Sequence, residues 1–220
     1  MAQIQTLRET IEAIAECRNK ADVSDRYGWV YYSQQPESFV DKQFYLSSNT
    51  DESDDPLRGG SEHWPAFAIR HDMNRFLEVE VFADVLDAQK GQYPASQIKD
   101  YADALEHFAH RKSTLVVNAS ELAETDPVIA VKLSRRIYPE YDLKLAVCPP
   151  DRVGVAARAL VKLQKITLVE AMARCRNLPI VVGDRVDAPH KDIIVSQFVQ
   201  LGLPLSYVNY EPLVWKLDGK

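Results

Sequence analysis

Nowhere does this chain of 220 residues run apolar for the roughly 18 to 20 residues a helix needs to cross a bilayer, so no membrane-spanning helix is expected. Cysteine is scarce: Cys17, Cys148 and Cys175 are odd in number, far apart and form no Cys-x-x-Cys pair. That excludes a disulfide framework and a zinc finger, and suits reduced thiols in a cytoplasmic protein. The first 18 residues carry Arg8, Glu9, Glu12 and Glu16 among apolar positions, which is not a signal-peptide pattern. Gly59-Gly60 stands without the lysine of a phosphate-binding loop, so nucleotide binding has no support. No catalytic signature is present, which points to a binding protein more than an enzyme. What remains is ordinary for a globular chain, with 46% hydrophobic and 26% charged residues. Its length suffices to bury roughly 70% of the unfolded surface without staples.

Charge is unevenly spread. The net charge is -6, yet residues 1–110 hold 10 Lys and Arg against 20 Asp and Glu, while residues 111–220 hold 16 against 12. Of the 20 aromatic residues, 14 also fall in the first half. An acidic, aromatic surface repels nucleic acid, whose phosphates need a basic partner. It steers a basic protein toward itself and speeds the encounter.

Apolar periodicity divides the chain into elements. Residues 2–18, with Ile4, Leu7, Ile11 and Ile14 at helical spacing, predict an amphipathic helix. Residues 27–33 (YGWVYYS) predict a strand, and 39–46 a further one. Residues 47–62 are a polar loop with Pro56, Gly59 and Gly60. Residues 64–70 (WPAFAIR) read as a strand and 74–90 as one helix stopped by Gly91. A helix capped by Ser96 follows, with Ile98, Tyr101, Leu105 and Phe108 inward. Asp126-Pro127 opens a helix expected to reach about Ile137. After a boundary at 138–142 the order becomes strand (143–148), helix (153–163), helix (168–175), strand (180–182), helix (189–201), strand (205–208). The expected fold class is α+β, as an acidic, aromatic-rich domain over residues 1–140 and a small β-α-α-β-α-β domain over 141–220. The tail from Tyr210, with Pro212 and Trp215, is read as part of that second domain, laid along its surface.

Candidate chemical groups are sparse. His107 and His110 stand three apart beside Asp103, where zinc-binding helices more often show a spacing of four. They read as surface histidines. His71-Asp72 is an acid–base pair without a third member. Residues 51–55 (DESDD) lack the glycine and the final glutamate of a calcium loop. Cys148 is a possible nucleophile or simply a buried thiol. No complete ligand set emerges, so no metal or cofactor is expected. Interfaces favour Tyr and Trp within a polar rim. The candidate partner-binding residues are therefore Trp29 and Tyr31 on one strand face, the loop carboxylates Asp51, Glu52, Asp54 and Asp55, and Glu78, Glu80, Asp84 and Asp87 on the 74–90 helix.

Three resemblances sharpen this. Residues 167–172 (TLVEAM), Leu178-Pro179-Ile180-Val181 and residues 198–202 (FVQLG) resemble the C-terminal domain of the bacterial ribosomal stalk protein. Gly202-Leu203-Pro204-Leu205 resembles the end of the adaptor that feeds N-degron substrates to a bacterial protease. What these imply is a fold. The stalk family's factor-binding lysine is replaced by Val169, and the adaptor's Asn-Asp-Asp run by Cys148-Pro149-Pro150-Asp151. The first 140 residues resemble immunity proteins of bacterial toxin and type VI secretion systems, through Trp64, Pro65 and Phe67 and the Phe-Leu-Glu-Val-Glu run from Phe76 to Glu80. That resemblance implies a cytoplasmic, non-catalytic protein that binds one toxin and blocks it, a nuclease with a basic cleft being one such toxin. No nucleic acid or membrane partner is expected. The alternatives are an adaptor presenting a client to a protease or to translation machinery, and a small hydrolase built on Cys148 or His71.

Overall fold

Thr6 decides where the first helix begins. Its hydroxyl accepts the Glu9 amide while the Glu9 carboxylate accepts the Thr6 amide, a reciprocal cap that satisfies two otherwise orphaned donors. The helix α1 therefore spans Leu7–Ala15, shorter than the 2–18 the periodicity predicts, because Gln5–Thr6 (β1) is claimed by pairing with Phe44 and Gln43. The computed structural model describes residues 3–48, 64–115 and 126–217. Among these, no helix is long and apolar enough to cross a membrane.

The fold is α+β, and the chain divides into two compact units: Met1–Tyr138 with Glu211–Lys220, and Pro139–Tyr210. In the first, α2 (Lys20–Arg26) leads into β2 (Tyr27–Ser33), followed by β3 (Gln43–Ser48). Next come α3 (Ala66–Arg70), β4 (Met73–Glu78), α4 (Val79–Gln92), α5 (Ile98–Arg111) and α6 (Pro127–Ala130). The four strands form an antiparallel sheet in the order β1-β3-β2-β4. Val30, Phe44, Leu46 and Leu77 face a core built with Leu7, Ile11, Phe82, Leu86, Tyr101 and Leu105 from α1, α4 and α5. Tyr31, Tyr45 and Met73 face the other way and are covered by Trp64, Phe67 and Ala68. Each fully buried side chain of this size contributes about 1.5–3 kcal/mol.

Three sequence expectations change here. Residues 64–70 lead into the helix α3 instead of forming a strand: their apolar residues are nearly continuous, so no period selects a strand, and Trp64, Phe67 and Ala68 close over the tyrosine face of the sheet. The single helix expected over 74–90 begins as β4, because Arg75 and Leu77 pair across to Tyr31 and Val30. It then passes through Gly91, which has open space around it. The helix after Asp126 ends at Ala130 instead of about Ile137. The backbone of Glu211 bonds the Lys132 carbonyl at 3.0 Å and the Ser134 amide at 2.9 Å, which takes both groups from a helical ladder.

The second unit follows the expected connectivity: β5 (Glu140–Leu145), α7 (Val153–Gln164), α8 (Leu168–Arg176), β6 (Ile180–Asp187), α9 (Ala188–Gln200) and β7 (Ser206–Tyr210). Its antiparallel sheet has the order β6-β5-β7. Leu143, Leu145 and Val182 pack with Leu160, Ala171, Phe198 and Leu203 in its core. The tail was expected on this domain and belongs to the first. Leu213 and Val214 are buried there, and the Trp215 indole donates to Glu12 Oε1 at 2.8 Å.

Candidate functional site

Helices α2 and α4 present the acidic residues that the sequence singles out. Asn19 caps α2 by accepting the Asp22 amide, which aims Lys20 and Ser24 toward α4. Ser24 Oγ donates to Glu80 Oε1 at 2.8 Å, and Lys20 Nζ donates to both Asp84 oxygens at 2.8 and 2.7 Å. Glu80 and Asp84 lie one turn apart, exposed, with held orientations. The Lys20–Asp84 pair is open to water on both sides, so it is worth about 0–1 kcal/mol.

Glu78 is not on the helix as expected. It ends β4, exposed, directly opposite Trp29 of β2. Trp29 is half-buried, and the Arg75 guanidinium carbon sits 4.3 Å from its ring. Glu80 and Asp84 on α4 thus stand on one side of the sheet, whereas Trp29 packs on the other side with Trp64 and Phe67.

Two candidates are engaged within the first unit itself. Tyr31 is 1% exposed, because both faces of the sheet are covered and it lies beneath Trp64 and beside Tyr45. Asp87 turns inward. It accepts the Arg136 Nε at 2.9 and 2.7 Å and the Ile137 amide at 2.9 Å, which makes it a structural anchor for the segment after α6. The loop carboxylates Asp51, Glu52, Asp54 and Asp55 lie outside the described residues.

The remaining chemical candidates stay apart. His107 and His110 line a shallow depression of about 500 Å³ with Asp103, Glu106 and Arg111. Among the described residues no group of three or more His, Cys, Asp or Glu is placed to hold a metal ion. His71 stacks near Phe67, with ring centres 4.4 Å apart. Burial pushes the Cys148 and Cys175 thiols up, the opposite of what activates a nucleophile. Burial likewise pushes Cys17 up to about 11.

One feature of the second unit escapes the sequence reading. Arg158 and Lys162, one turn apart on α7, border a groove of about 600 Å³ with Val155, Ala159 and Leu163. Gln197, Gln200 and Leu201 close it. The i, i+4 spacing of two cations beside an apolar stripe was visible in the sequence, but the opposing wall arrives only through tertiary folding.

Comparison with known proteins adds no relative. No protein-family model, no curated protein and no solved structure matches the chain.

Proposed function

We propose that this protein is a non-catalytic immunity protein that binds and neutralises a protein toxin, with the acidic face of α2 and α4 as its contact. The observation that carries the reading is the ordered carboxylate pair Glu80 and Asp84, held by Ser24 and Lys20. A toxin that attacks nucleic acid carries a basic cleft. Two carboxylates one turn apart compete for that cleft, and a close pair with a desolvated arginine is worth roughly 2–5 kcal/mol when one partner is truncated. The test is growth protection and affinity against the candidate toxin, with Glu78, Glu80 and Asp84 all reversed to Lys. Loss of protection in a folded variant supports the reading, while wild-type affinity and salt dependence overturn it.

A second reading has its own observation. The groove beside Arg158 and Lys162 suits an adaptor that carries an acidic client segment. Reversal of Arg158 and Lys162 to Glu separates the two, because it leaves toxin protection intact if the first reading is correct.

A further inference from the structure

We infer that Cys148, Cys175 and Met172 form a binding site for a soft metal ion, with copper(I) as the ion that the donor set selects. The three sulfur-bearing residues come from two places in the second unit and line one pocket of about 410 Å³. Met172 and Cys175 stand three residues apart on α8, the spacing that puts two side chains on one helix face. Thr167 fixes where that helix starts by accepting the Glu170 amide. Cys148 arrives from the segment between β5 and α7, ahead of Pro149, which disfavours helical backbone at the residue before it. Neither cysteine is in a disulfide, and the two are near enough that the charge of Cys148 acts to raise the Cys175 thiol.

Sulfur is the only ligand chemistry that the pocket offers. Apart from Arg176, the rest of its wall is proline, valine, glycine and leucine, so no carboxylate or imidazole competes for the ion. Calcium and magnesium need oxygen ligands. Zinc sites take three or four Cys, His or carboxylate ligands, and this pocket supplies two. Two thiolates and a thioether suit copper(I).

Charge balances in the same pocket. The incoming ion displaces one proton from each thiol, so the complex with two thiolates carries a single negative charge. Arg176 lines the pocket, and no ion pair or hydrogen bond engages its guanidinium among the described residues. That cation offsets the anionic complex. Burial holds both thiols protonated at neutral pH, which makes them poor nucleophiles but leaves them open to an ion that expels the proton. Cys175 is 1% exposed, so its side of the site is dry, while the partial exposure of Cys148 and Met172 leaves an entry path.

Anaerobic titration of the reduced full chain with copper(I), in competition with the chromogenic chelator bicinchoninate, tests this. The expected result is one ion per chain, a thiolate-to-copper absorption band in the ultraviolet and a higher melting temperature for the loaded protein. Cys148→Ser, at a partly exposed position, should weaken binding by more than about a hundredfold, beyond the roughly 10–100-fold cost of losing an outer-shell partner. Met172→Leu keeps the volume and should weaken it by about tenfold. Cys17→Ala, in the first unit, should leave the affinity unchanged. A chain that holds no copper(I) against the chelator overturns the inference. So do zinc bound as tightly as copper(I), wild-type affinity in Cys148→Ser or Met172→Leu, or loss of binding in Cys17→Ala.

Discussion

Arg185 lies against Tyr210, its guanidinium carbon 3.4 Å from the centre of the tyrosine ring. The same arginine approaches the buried Glu140 carboxylate at 3.6 Å, while its amide donates to Asp142 Oδ1 at 3.0 Å. Tyr210 in turn donates its hydroxyl to Asp142 Oδ2 at 2.5 Å. One residue in left-handed conformation on β6 thus ties together β5 and β7, the strands by which the chain enters and leaves the second unit. The strained backbone, costing about 1 kcal/mol for a residue with a Cβ, is offset by that network.

The network gives a pH signature. Burial acts to raise the Asp142 carboxyl, but the Tyr210 hydroxyl and the Arg185 amide outweigh it and hold the group below the usual range. A depressed carboxyl contributes stability that is present above the unfolded value, about 3.9, and is lost as pH falls through the folded value. Tyr210→Phe should therefore cost about 1–2 kcal/mol at neutral pH. The difference should shrink in acid, once the carboxyl is protonated in both proteins. Hydrogen exchange of β5 and β7 amides at the two pH values measures it, and a gap independent of pH would show that the hydroxyl acts through packing alone.

Leu160 is fully buried in the second core. Leu160→Ala should lower the stability of that unit by about 2–5 kcal/mol, the range for a buried leucine that leaves a cavity. Denaturant melts followed by exchange in α7 and α9 provide the measurement. A loss under about 0.5 kcal/mol, typical of surface sites, would contradict this packing.

Asp87 and Glu80 share a helix but should behave oppositely. Asp87→Ala removes the acceptor for Arg136 and for the Ile137 amide, at a cost of about 1–3 kcal/mol, and should leave partner binding unchanged. Glu80→Lys should alter stability by no more than about 0.5 kcal/mol and weaken the partner. Thermal melts paired with titration calorimetry distinguish them. The reverse pattern would move the contact surface to Asp87.

The returning tail should stabilise the first unit. Leu213 is fully buried there. Leu213→Ala should cost about 2–5 kcal/mol and accelerate exchange in α1 and α5, while the amides of β5 and β6 keep their wild-type rates. Equal loosening of both units would refute that assignment.

Local signals specify much of this protein. The β-α-α-β-α-β order after residue 138 was legible in part because α8 and α9 have boundaries written in short-range chemistry. Thr167 accepts the Glu170 amide, Asp187 accepts the His190 amide ahead of Pro189, and Gly202 takes φ 70° after α9. Apolar stripes at 3.6-residue spacing did the rest. The acidity of the first half, and the place of Glu80 and Asp84 on an exposed helix face, follow from the sequence in the same way.

Tertiary structure decided what depends on partners far along the chain. Residues 73–78 are apolar in a pattern that fits helix or strand, and only pairing with β2 makes them β4. Tyr31 alternates like an interface residue, yet Trp64 and Phe67 cover its face, and nothing within β2 announces them. Asp87 looks like its neighbour Asp84 until Arg136 arrives from 49 residues away. Periodicity records which face of an element is apolar, whereas the identity of what covers that face is a long-range contact, and a long-range contact leaves no local trace.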